Sequence, residues 1–244
     1  MSARALASVA PATIAEAEAT LRAAASDGAA VLFRGGGTAQ GIGYPPERVD
    51  LELDTRALVR IVEYAPDDFV ATLEAGTTLA SLQRTLAEHG QRLALDPPLA
   101  ERATLGGLIA ANTYGPLRTR YGTLRDLLLG IELIRADGVP VRGGGKVVKN
   151  VAGFDVPKLA IGSLGTLGLI ASVTLRLHPR PEAVREVSVE GLGASALRSL
   201  VRALVEAQLE PAALVAFHGE GAYEARIAFE GFAAGADDQA DRAA

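Results

Sequence analysis

The sequence predicts an α+β fold with a larger first body, residues 1–180, and the start of a second α+β body after it. Three observations carry this reading. Helical and extended hydrophobic periods alternate along the chain. Asp137-Gly138 sits between two apolar runs, the strongest short hairpin signal present. Pro179 and Pro181 interrupt the pattern, which then restarts as strand, helix and two strands.

Taken in order, residues 13–26 read as a helix, with Ile14, Ala17 and Leu21 at helical spacing and Asp27-Gly28 as its stop. "AAVLF" follows as a short buried strand and runs into "FRGGGTAQGIG", with five glycines in eleven positions. After the turn Tyr44-Pro45-Pro46, "VDLELD" alternates strictly and predicts a strand. "LVRIVEY" and "FVATLEA" predict two more, turning at Pro66-Asp67-Asp68. Thr77 or Thr78 can cap a helix through Leu79, Leu82 and Leu86 that ends at Gly90. A low-polarity stretch, "TLGGLIAANTYG", precedes the hairpin "LLLGIELIRADGVPVRG"; then come a short helix at "DVPKLAIG" and a strand at "TLGLIASVTLRL". Beyond the prolines, 186–190 reads as a strand, 194–209 as a helix, and "ALVAF" and "YEARIAF" as strands. The last segment, "EGFAAGADDQADRAA", reads as an opening helix without a core partner, as if the chain stopped early.

Composition narrows the chemistry. Of 244 residues, 24 are basic and 29 acidic, a net charge of −5 that disfavours binding driven by nucleic-acid phosphates. The chain has no cysteine, so it supplies no thiolate ligand, disulfide or cysteine nucleophile. His89, His178 and His218 lack any metal-ligand spacing, and no metal site is expected. The alanine-rich start carries Glu16, Glu18 and Arg22 and does not read as a signal peptide; a cytoplasmic protein, touching membrane only through partners, is the expectation.

The glycines of 35–43 fit neither familiar phosphate loop. A P-loop requires a lysine that is missing here, and a Rossmann fingerprint requires a glycine where Gln40 stands and a helix after it. What survives is a strand–nest–strand arrangement. Consecutive glycines can point several N–H groups into one concavity, with Thr38 adding a hydroxyl and Arg34 a charge. A structural tight turn explains the stretch equally well taken alone. Two further segments tip the balance toward a long diphosphate ligand. One is "ATLGGLIAANTYGPLRTRYG", with Thr104, Asn112, Tyr114, Arg118 and Arg120. The other is "KVVKNVAGFDVPKLAIGSLGTLGLI", with Lys146, Lys149, Asn150 and a third glycine-rich turn at 162–168. Their plainer readings are a tightly packed helix with a basic exit loop, and a loop with a helix cap.

In order, "RGGGT", "TLGGLIAAN…G…RYG…RD" and "KNVAGFDVPKL…GSLGTLGLI" resemble the FAD-binding domain of vanillyl-alcohol oxidase-type (PCMH-type) flavoproteins, most closely the glycolate oxidase (glycolate dehydrogenase) E subunits. The resemblance covers roughly residues 10–180. It implies two α+β subdomains gripping FAD, about 1–95 and 96–180, followed by a substrate or cap domain of which 181–244 is part. By position, Arg34, Gly35, Gly36, Gly37 and Thr38 would hold the pyrophosphate. Thr104, Gly106, Gly107, Asn112, Gly115, Arg120 and Gly122 would line the cofactor from the other side. Gly165 and Ile170 would meet its ribityl or adenine portion through the main chain, and Pro97 would sit near the flavin ring. At Gly36, positive φ and close approach would both exclude a β-branched residue.

Many relatives carry an acidic residue where this chain has Leu164, a variation that favours the E-type subunit. With no cysteine and no histidine before His89, dissociable, non-covalent FAD is expected. The implied reaction is oxidation of a small 2-hydroxy acid such as glycolate, with a paralogous flavin subunit and an iron–sulfur subunit as partners. A stand-alone D-lactate or sugar-acid enzyme and a non-catalytic assembly subunit are the alternatives. No catalytic base is assigned. His178 titrates near neutrality in principle, but its place at a strand end before Pro179 favours a structural role. Arg118, Arg120 and Lys149 read either as cofactor contacts or as solvated loop charges.

Overall fold

A computed structural model describes residues 7–145 and 154–244. The α+β expectation holds, and the chain divides into two compact units. The first comprises Met1–Leu93, Pro97–Thr113 and Leu124–His178; the second comprises Ala94–Asp96, Tyr114–Thr123 and Pro179–Ala244.

In the first unit β1 (Ala7–Val9) precedes α1 (Ile14–Ser26). Thr13 starts this helix by accepting the Glu16 N–H at 3.2 Å, while the Glu16 carboxylate takes the Ala12 N–H at 2.8 Å, a reciprocal cap. Next come β2 (Val31–Arg34) and β3 (Leu51–Asp54); β1 and β2 each pair parallel with β3. Parallel neighbours cannot be joined by a tight turn. The segment 35–50, glycines included, therefore serves as the crossover without a helix of its own.

The chain continues through β4 (Ile61–Ala65), a 3-10 turn at Pro66–Asp68, β5 (Val70–Glu74), α2 (Leu79–Ala87), β6 (Gln91–Arg92) and α3 (Leu105–Ala111). Of the two candidate caps, Thr78 is the one used, accepting the Ser81 N–H at 3.3 Å. After α4 (Arg118–Tyr121), which belongs to the second unit, come α5 (Leu124–Leu127), β7 (Leu128–Ile134), β8 (Pro140–Gly144), α6 (Val156–Ala160) and β9 (Leu169–Arg176). An antiparallel sheet forms in the order β4-β5-β9-β7-β8. Ala17 and Leu21 of α1, Leu53 of β3, Ile134 of β7, and Leu169 and Ala171 of β9 make one buried cluster. A single helix thus closes the core of both sheets.

Two glycines are fixed by contact in this unit. The β7–β8 turn at Gly138 (φ +75°) rests on α1, so that a Cβ there would lie 2.5 Å from Arg22 Cγ and 2.6 Å from the Glu18 carbonyl oxygen. At Gly76, between β5 and α2, a Cβ would lie 2.0 Å from the Thr55 carbonyl oxygen and 2.6 Å from that of Leu58. Just before Gly76, the fully buried Glu74 accepts from the Arg60 main-chain N–H at 2.9 Å and from Arg60 Nε at 2.8 Å. The chain passes from the first unit to the second at β10 (His178–Pro179). Burial, assisted by the charges of Arg176 and Arg92, pushes the His178 pKa down to about 4, leaving a neutral imidazole at pH 7.

The second unit holds β11 (Ala183–Leu192), α7 (Ala194–Glu206), β12 (Ala213–Gly219), β13 (Ala222–Gly231) and α8 (Ala233–Ala243). Its antiparallel sheet runs β11-β13-β12. Leu204, Leu209, Ile227 and Phe229 form its core, with Ala240 and Ala243 of α8 packed against them. The expectation of a final helix without a core partner is therefore corrected. The segment lacks large apolar residues because its contact face is alanine, which lets the helix sit close to the sheet; Ala236 is buried. Gln239 accepts the Glu210 N–H at 2.8 Å and Arg242 donates to the Ala207 carbonyl at 2.7 Å, fastening the same helix.

Contact and conformation can be separated at two glycines. Gly76→Ala drives a methyl into two carbonyls, and a loss of about 3 kcal/mol in denaturant unfolding is expected. Gly90→Ala, at φ +64° with nothing within 4 Å, meets only backbone strain, about 1 kcal/mol. Equal losses would contradict the contact assignment. For His178, the folded pKa lies below the unfolded one, so the unfolded chain binds the extra proton. Stability is present above pH 6.5 and falls as pH drops toward 4. His178→Asn should flatten this part of a plot of melting temperature against pH.

Candidate functional site

The first unit brings the glycine-rich turns together around α3. Residues 35–37 lie directly on the segment that leads into this helix. A Cβ on Gly36 would stand 1.7 Å from the Arg102 carbonyl oxygen, and one on Gly35 would stand 2.2 Å from Thr104 Oγ1. Gly36 is thus required by contact with backbone, and Gly35 by contact with the Thr104 side chain. The expectation of positive φ at Gly36 is corrected, since the left-handed residue is Gly37 (φ +68°), with Arg34 Nε the nearest atom, 3.7 Å from a Cβ built there. Among the described residues, no acceptor is recorded for the main-chain N–H groups of Gly35, Gly36, Gly37 and Thr38, although the segment is half-buried. Four in sequence, beside a left-handed glycine, fit an anion with several oxygens such as a diphosphate.

The start of α3 is occupied differently. Thr104, almost fully buried, caps it by accepting the Gly107 N–H at 3.3 Å. The Leu105 and Gly106 N–H groups donate to the carbonyls of Thr77 and Ala75 at 2.9 and 2.8 Å. Gly106 is needed because a Cβ would press on Ala75 at 3.1 Å, and one on Gly107 would come within 3.1 Å of Thr104 Oγ1. The first-turn donors of α3 are therefore internal, and the "TLGG" glycines serve close packing.

The third glycine-rich turn closes the other end of α3. Gly162 and Leu164 donate their N–H groups to the carbonyls of Ile109 and Ala110 at 3.0 and 2.9 Å, satisfying helix-end acceptors. Asn112 ends the helix in the left-handed conformation at φ +51°. The turn itself needs left-handed backbone at Gly162, Leu164 and Gly165. It also touches the first glycine segment, since a Cβ on Gly165 would lie 3.3 Å from Phe33 Cδ2 and one on Gly43 3.5 Å from Leu164 Cδ1. Ile170 is buried on β9 at a register shift opposite Leu133, its carbonyl oxygen 3.7 Å from a Cβ built on Gly106. Pro97 is buried in the first unit as well.

Gly115, Arg120 and Gly122 belong to the second unit, where each has a local task. A Cβ on Gly115 would strike the Asp96 carbonyl oxygen at 2.1 Å, and the Asp96 carboxylate accepts the Leu117 N–H at 3.1 Å. Arg120 Nη1 donates to the Glu230 carbonyl at 2.5 Å, and Gly122 (φ +79°) ends α4. Arg118 lies over the Tyr114 ring, 4.2 Å from its centroid. Lys146, Lys149 and Asn150 lie outside the described residues. His178, with its pKa held near 4, is a weak proton acceptor at neutral pH.

Charge at the glycine segment also differs from the sequence reading. Arg34 Nη1 is paired with Glu52 at 3.2 Å, so its charge is already matched. Arg102, which sequence reasoning missed, places Nη2 3.4 Å from the Gly36 carbonyl oxygen. No spacing rule connects positions 36 and 102; only the fold does. Ser163 was missed for the same reason: its hydroxyl is buried and has no partner among the described residues.

With this geometry in hand, the relatives fall into place. Residues 5–144 match the family model described as FAD binding domain. The chain is 38% identical over 164 residues to glycolate oxidase subunit GlcE of Escherichia coli, covering 65% of this chain and 45% of that protein. It is 35% identical over 199 residues to D-lactate dehydrogenase of Archaeoglobus fulgidus, covering 81% of this chain and 44% of that one. Glycolate oxidase subunit GlcD of Bacillus subtilis is 31% identical over 184 residues, 75% of this chain and 39% of its own length. The chain thus spans less than half the length of each of these relatives. Among solved structures, alkyldihydroxyacetonephosphate synthase superposes with a TM-score of 0.82 at 19% identity, over 97% of this chain and 49% of that one, a likeness of fold. The chain belongs to the PCMH-type FAD-binding domain family, and FAD is the cofactor for which that domain is built.

Proposed function

We propose that this protein is the FAD-binding part of a 2-hydroxy-acid dehydrogenase of the glycolate oxidase type, converting glycolate or a near analogue to the 2-oxo acid. The observation that carries the reading is the row of four main-chain N–H groups at 35–38, for which no acceptor is found among the described residues. In this reading Gly35, Gly36, Gly37 and Thr38 bind the diphosphate through their main chain. Thr104, Gly106 and Gly107 act one step back, holding α3 so that the loop keeps its shape. Gly165, Ile170, Asn112 and Pro97, all in the first unit, are assigned to the same cofactor. Bound FAD supplies the two-electron oxidant. It is held without a covalent bond.

Residues 1–180 form the cofactor domain in this proposal, with subdomains of about 1–95 and 96–180, and 181–244 begin a substrate or cap domain. Having no cysteine, the chain supplies no iron–sulfur ligand set, so electrons leave toward an iron–sulfur subunit and a paralogous flavin subunit. The similarity to an archaeal D-lactate dehydrogenase over 81% of this chain supports a second reading, a stand-alone dehydrogenase. Among the described residues no helix is long and apolar enough to cross a membrane. In the first reading the protein is cytoplasmic and reaches a membrane only through partners.

Purified protein should carry a yellow chromophore that denaturation releases as FAD. Gly37→Ala is the sharpest probe of the cradle, because a Cβ there meets no backbone atom within 4 Å and only φ is strained. Its FAD dissociation constant should rise about tenfold, as for loss of one hydrogen bond to a charged group, with the fold intact. Unchanged affinity would overturn the cradle. Turnover of glycolate with an artificial acceptor by the isolated chain would favour the stand-alone reading over the subunit one.

A further inference from the structure

Around residues 35–38 two guanidinium groups compete for one role, and their partners decide between them. Arg34 is close, with Nε 3.7 Å from a Cβ built on Gly37, but its Nη1 lies 3.2 Å from Glu52 Oε2. The pair is neutral as a unit, and an approaching anion meets Glu52 along with Arg34. Arg102 reaches the same segment from the chain leading into α3. Its Nη2 donates to the Gly36 carbonyl at 3.4 Å, and its own carbonyl is the atom that excludes a side chain at Gly36. Among the described residues it has no carboxylate partner. A guanidinium carries several N–H donors in a rigid plane suited to phosphate oxygens. One is engaged by Gly36, and the rest stand beside a row of main-chain donors that are themselves unpaired.

We propose that Arg102 is the cation of the diphosphate cradle, its guanidinium bridging the Gly36 carbonyl and a phosphate oxygen of the bound dinucleotide. Arg34, held by Glu52, shapes the loop without adding net charge. The assignment rests on the cofactor reading above and adds a residue to it. It also accounts for a mildly acidic chain binding a doubly charged group: among the described residues, oriented N–H dipoles and Arg102 shape the local field at 35–38, and the net charge of −5 does not set it.

The test compares Arg102→Gln and Arg34→Gln by titrating the apoprotein with FAD at low and high salt, with displacement by ADP and by adenosine. Arg102→Gln should weaken FAD and ADP by about tenfold, leave adenosine unchanged, and flatten the salt dependence. Its apoprotein should melt with the wild type, since the substituted side chain is exposed. Arg34→Gln should change these affinities by less than about threefold. A loss for Arg34→Gln with Arg102→Gln unaffected would overturn the assignment. So would an equal loss of adenosine and ADP in Arg102→Gln, which would mean that the residue only supports the loop. Wild-type protein that bound no FAD would overturn the cofactor reading itself, a result separable from either.

Discussion

The approach of Gly35 and Gly36 to residues 102–104 is the contact on which the rest of the first unit depends. A Cβ at Gly36 would sit 1.7 Å from the Arg102 carbonyl oxygen, a separation no side chain can occupy. Because the strands β2 and β3 are parallel, the chain between them must travel, and it travels over this segment. The contact fixes where α3 begins, and Thr104 both meets Gly35 and caps the helix. At the far end, Gly162 and Leu164 take up the helix carbonyls. Three glycine-rich stretches far apart in sequence are thus organised by one two-turn helix. Its own donors and acceptors are nearly all used internally, which leaves the loop at 35–38 as the element with donors to spare.

This distinction separates two kinds of glycine that look alike on paper. Gly36, Gly76 and Gly115 are glycines because other backbone atoms occupy the place of a Cβ; Gly37, Gly162 and Gly165 are glycines because φ is positive. In every case the protein's own packing gives a sufficient reason. The tight-turn reading and the proposed ligand reading of "FRGGGTAQGIG" therefore concern different atoms. The Cβ positions answer to the fold, and the main-chain N–H groups are the atoms on which the proposed ligand reading rests.

Most elements were legible because each rests on local rules. The α1 stop at Asp27-Gly28, the Asp137-Gly138 hairpin and the stop at Gly90 follow from neighbouring residues. What the sequence hid is non-local. The pairing of Arg34 with Glu52 follows from the parallel register of β2 and β3, and the reach of Arg102 to Gly36 follows from tertiary contact. Gly76 carries no motif, yet it is enclosed almost as tightly as Gly36. The last helix was misread for a compositional reason: alanine faces signal little hydrophobicity, while close packing makes them sufficient.

The same non-locality bears on how charge is arranged. Unit 1 neutralises most of its basic residues where they stand: Arg34 with Glu52, Arg56 with Asp54, Arg60 with the buried Glu74, Arg142 with Glu132. The Arg56 guanidinium, hydrogen-bonded to it, holds the Asp54 carboxyl below its ordinary range. Matched pairs contribute little field at a distance, because each cation's potential is cancelled within a few ångströms. Among the described residues, Arg102 has no carboxylate partner and stands beside the N–H row at 35–38. A binding site made in the way proposed above needs no basic composition. It needs only that the surrounding pairs be closed and that the backbone, through its glycines, be left open.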